Sequence, residues 1–252
     1  MTWALRFQGT GNSSAVELGS AMATIERDGQ PWLTIDCGSE GLTEYIAHYH
    51  AYPQALFITH AHLDHVSGFE RLFGANYFAS PRPDGTRLYV PAALLPLLQQ
   101  RIAGYPNVVA EGGANFWDAF RLVPVGDAFW HDGVRLECFP VRHHWPDTAF
   151  GLRLRGSLAW TGDTRPIPEQ LAKFADAGEL VAHDCALRGN PSHSGIDDLE
   201  REYPRGLLDR CLLYHYGGAG DAQALTARGY RVALPGDCVP LQPPRPLPVT
   251  HA

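Results

Sequence analysis

Apolar residues along the chain fall into short runs separated by glycine, proline and acidic turns, not into long helical stripes. Residues 15–26 and 32–36 are β-rich, and Asp28-Gly29-Gln30-Pro31 between them predicts a turn. Asp36-Cys37-Gly38 closes a strand, and residues 42–49 carry helical spacing. The run Ala55-Leu56-Phe57-Ile58-Thr59, bounded by Pro53 and by histidines, predicts a buried strand, because it is too short for a helix and is closed by breakers. Residues 74–130 are less regular: a turn at 81–85, a strand at 88–90, a helix at 92–102 after Pro91 and a loop at 111–113. Strands follow at 134–141, 149–155 and 157–161. Helices at 169–175, 199–202 and 222–227 then alternate with strands at 180–182, 210–214 and 230–234. Strand runs followed by alternation predict an α/β layered domain over residues 1–238. The last 14 residues, 239–252, hold five prolines and predict a surface tail of polyproline II character.

Composition narrows the class. A chain of 252 residues that is 45% hydrophobic and 11% aromatic has material for a sizeable core, which excludes disorder. No repeat of solenoid period is present. Twenty basic against 27 acidic residues give a net charge of −7, which excludes a bulk polyanion binder. The start, Met-Thr-Trp-Ala-Leu-Arg-Phe, has no secretory pattern, and the leucine-rich stretch 92–98 is short and broken by Pro96. A cytoplasmic protein without a membrane partner is expected; a homodimer is one admitted state. Five cysteines, an odd number with no Cys-x-x-Cys pair, predict buried reduced thiols.

The unusual residue is histidine, with 12 copies. Thr59-His60-Ala61-His62-Leu63-Asp64-His65 follows the buried strand directly and offers four candidate metal ligands, His60, His62, Asp64 and His65, where a strand hands over to a helix. His60 and His62 can point one way from an extended segment, and Asp64 suits the positive start of a helix. Neutral imidazole with carboxylate suits a borderline divalent ion such as zinc. The plainer alternative is a solvated polar turn. Further candidates stand at later strand ends: His143 and His144 after Phe139-Pro140-Val141, Asp163 in Trp160-Thr161-Gly162-Asp163-Thr164, and His215 after Cys211-Leu212-Leu213-Tyr214. Each alone is more often a hydrogen-bonded core residue than a ligand. His48, His50, His131 and His251 are read as structural or solvated, His131 as a turn residue.

Thr-His-Ala-His-Leu-Asp-His, a strand-end His, Thr-Gly-Asp-Thr and a late strand-end His together resemble the metallo-β-lactamase superfamily, over about residues 7 to 240. The resemblance implies a four-layer αββα sandwich with a two-metal site along one edge. It implies that His60, His62 and His143 hold one divalent ion, that Asp64, His65 and His215 hold the other, and that Asp163 bridges them. Zinc is the expected metal; manganese and iron are alternatives. His144 is the alternative to His143, and side-chain alternation allows just one of the two to face the metals.

The succession His183-Asp184-Cys185, Ser192-His193-Ser194 and Leu-Leu-Tyr-His215 is similar to that of ribonuclease Z and related phosphodiesterases, as is the stretch 143–154. That implies a phosphate-contacting or proton-donating role for His193, supported by His183 and Asp184. Asp163 and His183 are 20 positions apart, which leaves no room for the long arm of tRNA-processing members. The acidic balance also argues against a large RNA. The expected activity is therefore metal-dependent hydrolysis of a small phosphodiester such as a cyclic nucleotide, with a metal-bridging hydroxide as nucleophile. A lactone or thioester hydrolase with the same ligands is the main alternative. A di-iron oxygen-reducing protein and a scaffold without activity are disfavoured by His62 and by the complete ligand set.

Overall fold

The computed structural model describes residues 1–79, 85–104, 109–110 and 112–246. Residues 81–84 of the expected turn, residue 111 of the expected loop, and His251 lie outside them. The strands of the first half are β1 (Trp3–Gly9), β2 (Met22–Arg27), β3 (Gln30–Ile35), β4 (Ala55–Phe57), β5 (Thr86–Pro91) and β6 (Phe120–Val125). Those of the second are β7 (Ala128–His131), β8 (Val134–Pro140), β9 (Phe150–Leu154), β10 (Leu158–Trp160), β11 (Leu180–Asp184), β12 (Cys211–Tyr214) and β13 (Arg231–Val232), and β14 (Cys238–Leu241) closes the chain. The helices are α1 (Ser39–Tyr49), α2 (Leu63–Val66), α3 (Phe69–Tyr77), α4 (Leu95–Leu98), α5 (Pro168–Phe174), α6 (Ile196–Glu202), α7 (Arg205–Leu208) and α8 (Ala219–Ala227).

The strands build two seven-stranded sheets, β14-β1-β2-β3-β4-β5-β6 and β13-β12-β11-β10-β9-β8-β7. Both follow one plan, an antiparallel half and a parallel half: β3 to β6 pair in parallel in the first, β10 to β13 in the second. The inner parallel strands β4, β10, β11 and β12 are buried on both faces, and their alternation sorts the core. From β4, Ala55 and Phe57 enter the core between the sheets, whereas Leu56 and Ile58 pack against helices. From β12, Leu212 and Tyr214 face the other sheet, and Cys211 and Leu213 face helices. Leu42 of α1 with Phe69, Leu72 and Phe73 of α3 covers the first sheet, and Leu171, Ile196, Leu199 and Leu225 of α5, α6 and α8 cover the second. The result is the expected four-layer αββα sandwich of the α/β class.

Several local expectations differ from the structure. The strand read over 15–26 begins only at Met22, and Val16–Leu18 is a helical turn. α3 was not anticipated, nor were β1, β6 and β7, whose short alternations declare themselves only beside paired neighbours. The expected tail begins as an edge strand, with Cys238 to Leu241 antiparallel to β1. His131 is no turn residue: it ends β7, is buried, and lies with Nε2 2.8 Å from the Trp32 carbonyl. Cys37, Cys138, Cys185 and Cys211 are buried free thiols, while Cys238 is exposed. No helix among the described residues is long and apolar enough to cross a membrane.

Candidate metal centre

Four strands deliver side chains to one place, each from its C-terminal end. β4 runs into His60, β8 into His143, β10 into Asp163 and β12 into His215, while β11 ends on Asp184. The crevice outside the carboxyl ends of parallel strands is the usual ligand position in open α/β sheets. The backbone is bent to reach it. Asp36 and His215 hold φ of 65° and 68°, a conformation costly for residues with a Cβ. Their amides are secured at the Phe57 and Thr10 carbonyls, at 2.8 and 2.7 Å. Gly162 at φ 65° explains the Thr-Gly-Asp motif. A Cβ there would stand 3.0 Å from the Phe150 carbonyl oxygen and 3.2 Å from the Thr59 Cβ, so glycine lets the chain turn Asp163 inward.

Asp163, 1% exposed, is the centre. Around its Oδ2 stand His215 Nε2 at 3.2 Å, His65 Nε2 at 3.3 Å and His60 Nε2 at 3.6 Å, with His143 Nε2 and His193 Nδ1 each at 4.0 Å. Asp64 Oδ2 lies 3.6 Å from His65 Nε2 and 3.7 Å from His215 Nε2. His62 Nδ1 meets His143 Nε2 at 3.2 Å, and the exposed His144 meets His62 from outside at 3.1 Å. Three overlapping groups could hold an ion, with donor atoms within 4.8 Å of one another: His60, His62, His143 and Asp163; Asp64, His65, Asp163 and His215; and Asp163, Asp184, His193 and His215.

Outer oxygens set the direction of four rings. Nδ1 of His65 lies 2.8 Å from Asp36 Oδ2, that of His60 3.0 Å from Thr59 Oγ1, that of His143 3.0 Å from the Ser192 carbonyl, and that of His215 3.3 Å from Asp184 Oδ1. In the neutral ring, which is the form that binds a metal, an oxygen acceptor on Nδ1 selects the tautomer whose Nε2 lone pair faces the centre. Nε2 of His60, His65 and His215 and Oδ1 of Asp163 are buried without a hydrogen-bond partner among the described residues. Buried polar atoms are rarely left so. Convergent imidazole nitrogens and carboxylate oxygens without a thiolate fit a divalent cation of the zinc kind.

Protonation is strongly biased by this crowding. Burial, with His65 beside it, holds His60 well below the ordinary histidine range, and burial takes His143 down to about 4. Burial also opposes charge on His215, but Asp163 and Asp184 outweigh it and lift the ring to about 10. Against its own burial, Asp163 is held well below the usual carboxylate range by His215 and His65. Asp163 is thus held as an anion by the positive charge it induces on the rings around it.

Of the remaining expected residues, His193 is brought to the centre and His183 is not. On β11, Ala182 faces the other sheet and Val181 faces the helices; the period of two sends His183 after Val181 and Asp184 after Ala182. His183 is fully buried, with Nε2 2.7 Å from Tyr203 Oη and Nδ1 2.7 Å from the Asp184 carbonyl. His183 therefore lies behind the centre, and its neighbour reaches the site. Asp184 Oδ2 lies 2.9 Å from His193 Nδ1 and accepts the Thr164 amide at 2.8 Å. Sequence reading missed Asp36, which receives His65 Nδ1 and the Thr59 amide. A strand-closing aspartate two residues before Gly38 was its only signal.

A cleft of about 890 Å³ opens beside His60, His62 and His143, walled by Trp145, Gln100 and Arg101. A second, of about 430 Å³, lies across His62 beside Asp64.

The chain matches the model of the family described as anti-Pycsar protein Apyc1 over residues 3–233. It is 31% identical over 225 residues to the anti-Pycsar protein Apyc1 of Saccharibacillus brassicae, covering 84% of this chain and 89% of that one. It is 28% identical over 228 residues to the Apyc1 of Paenibacillus xerothermodurans, covering 86% and 88%. Among solved structures, the metallo-β-lactamase fold protein YhfI from Bacillus subtilis superposes with a TM-score of 0.74 at 13% identity, over 95% of this chain and all of that one (100%). That likeness establishes the fold.

Proposed function

The chain belongs to the anti-Pycsar protein Apyc1 family and is a metal-dependent hydrolase of phosphodiesterase-like type, and from that premise we propose that it hydrolyses a small phosphodiester, specifically a cyclic nucleotide. The observation that carries the reading is the set of inward-facing imidazoles around Asp163, with His193 backed by Asp184 at its edge. His60, His62 and His143 hold one ion in this proposal, Asp64, His65 and His215 the other, and Asp163 serves both. Zinc suits the donor set, with manganese and iron the alternatives. When bound, the ions supply Lewis acidity towards a phosphoryl oxygen and an activated water.

The chain's own groups do the rest. Asp36, Thr59, Ser192 and Asp184 hold the ligand rings in orientation. Asp184 fixes His193 through Nδ1, which leaves Nε2 to deliver a proton to the departing oxygen. His144 and Trp145 border the approach. The −7 charge favours a small anion over a long RNA, whose affinity needs many neutralised phosphates. The absence of a membrane-spanning helix among the described residues and the buried free thiols support a cytoplasmic enzyme.

Metal analysis of the purified protein, joined to a screen of cyclic nucleotides, bis(p-nitrophenyl) phosphate and lactones, tests the reading. Turnover of cyclic nucleotides with about two equivalents of divalent metal is the expected result. Turnover of lactones with the phosphodiesters untouched overturns it.

A further inference from the structure

Two residues on the wall of the larger cleft make no side-chain hydrogen bond or ion pair among the described residues. Trp145 is 81% exposed, among the most exposed of the large apolar side chains. Its ring is free, but its backbone is not: Thr148 Oγ1 donates to the Trp145 carbonyl at 2.7 Å, and Asp147 closes the loop at φ 61°. The loop is anchored at its start, where the Arg142 amide donates to Thr164 Oγ1 at 3.0 Å, one residue from Asp163. An indole turned to water on an anchored loop is an unspent apolar surface. Across the cleft, exposed Arg101 lines both cavities that flank His62, and its guanidinium has no hydrogen bond or ion pair among the described residues. An unpaired cation beside a centre built on Asp64, Asp163 and Asp184 is placed to meet an anion arriving from outside.

We propose that Trp145 is the stacking platform for the substrate's nucleobase and Arg101 the counter-charge that guides its phosphate to the centre, an inference that rests on the phosphodiester reading. A cleft of about 890 Å³ holds a nucleotide-sized molecule. Stacking accepts any base, since every base has a π-face, so the platform predicts affinity for nucleotides as a class with weak discrimination among bases. Gln100 and Thr148, which also line the cleft, offer the polar edge contacts available to sharpen it.

The metal-loaded full chain and the variants W145A, W145F and R101A test the subsite. Isothermal titration calorimetry compares 5′-AMP with ribose 5-phosphate, which differ by the base alone. In the wild type AMP binds more tightly, by about tenfold. W145A removes that difference, W145F keeps most of it, and R101A weakens both ligands alike, by about three- to tenfold. Equal affinity of W145A and wild type for AMP overturns the platform, as does equal weakening of both ligands in W145A, or a change of oligomeric state showing that a second copy covers the ring. Undetectable AMP binding to the wild type overturns it too. The two readings separate cleanly. Trp145-dependent AMP binding without cyclic nucleotide hydrolysis refutes the proposed reaction and keeps the subsite; hydrolysis with an unchanged KM in W145A does the reverse.

Discussion

Asp184 Oδ2 and His193 Nδ1 lie 2.9 Å apart, and the other oxygen of the same carboxylate is 3.3 Å from His215 Nδ1. One buried anion therefore orients both the proposed proton donor and a proposed metal ligand. His193→Ala is expected to retain metal and lose about 10²–10⁴-fold in kcat, since it removes proton delivery alone. Asp184→Asn is expected to weaken both functions, lowering metal affinity about 10–100-fold. Metal content and steady-state rates on the same preparations check the pair; normal kcat in His193→Ala refutes the assignment.

Asp163→Ala removes the carboxylate shared by two of the candidate ion groups and by the third. Elemental analysis is expected to find the variant largely stripped, with activity reduced more than in Asp184→Asn. A metal ion that binds the folded state alone stabilises it by mass action, so a chelator lowers the wild-type Tm and leaves that of Asp163→Ala unmoved.

Asp36 stands on the far side of the His65 ring from Asp163, with its Oδ2 2.8 Å from Nδ1. Asp36→Asn keeps the shape and loses the charge. Its metal affinity is expected to fall about 10–100-fold, read by competition with a chromophoric chelator. Unchanged affinity would show that His65 is oriented without it.

Gly162→Ala tests whether the positive φ before Asp163 is required. A Cβ at that conformation, pressed on the Phe150 carbonyl and Thr59, is expected to cost about 1–3 kcal/mol by denaturant unfolding and to reduce bound metal. Wild-type metal content would place the strain elsewhere.

Far from the centre, Glu26 couples acid stability to the β1–α1 packing. Burial pushes its carboxyl up, but Tyr49 Oη and Arg6 Nε, each donating to Oε1 at 2.6 Å, outweigh burial and hold it below the usual range; the exposed Cys238 thiol lies beside it on β14. A depressed folded value means that the unfolded state takes up protons first as pH falls. The stabilisation is thus complete above the unfolded value of about 4.3 and is lost on acidification through the lower folded value. Glu26→Gln is expected to be about 1–3 kcal/mol less stable at pH 7 and to converge on wild type only as the pH falls below the depressed folded value. Urea titrations at several pH values measure the difference.

The sequence was most legible where chemistry and local period coincide. Thr59 to His65 announces its donors within seven positions, and the runs at 55–59 and 210–214 read as buried strands because parallel strands are apolar on both faces. The α/β class and the layered architecture followed from the order of such runs. β1, β6 and β7 were not legible, since a short alternation gains its meaning from the strands on either side.

What the chain determined by itself is therefore the donor inventory, the strand ends that carry it and the fold class, because these depend on residue type and nearest-neighbour period. Which donors meet is a tertiary decision. His183 and Asp184 are adjacent, and only the register of β11 between a helix layer and a sheet sends one to Tyr203 and the other to His193. His143 and His144 are parted in the same way, one buried and one exposed. Asp36 and His65, 29 positions apart, become partners because β3 and β4 lie side by side and end together. Direction and distance in a folded chain belong to the packing of layers, and no local pattern carries them.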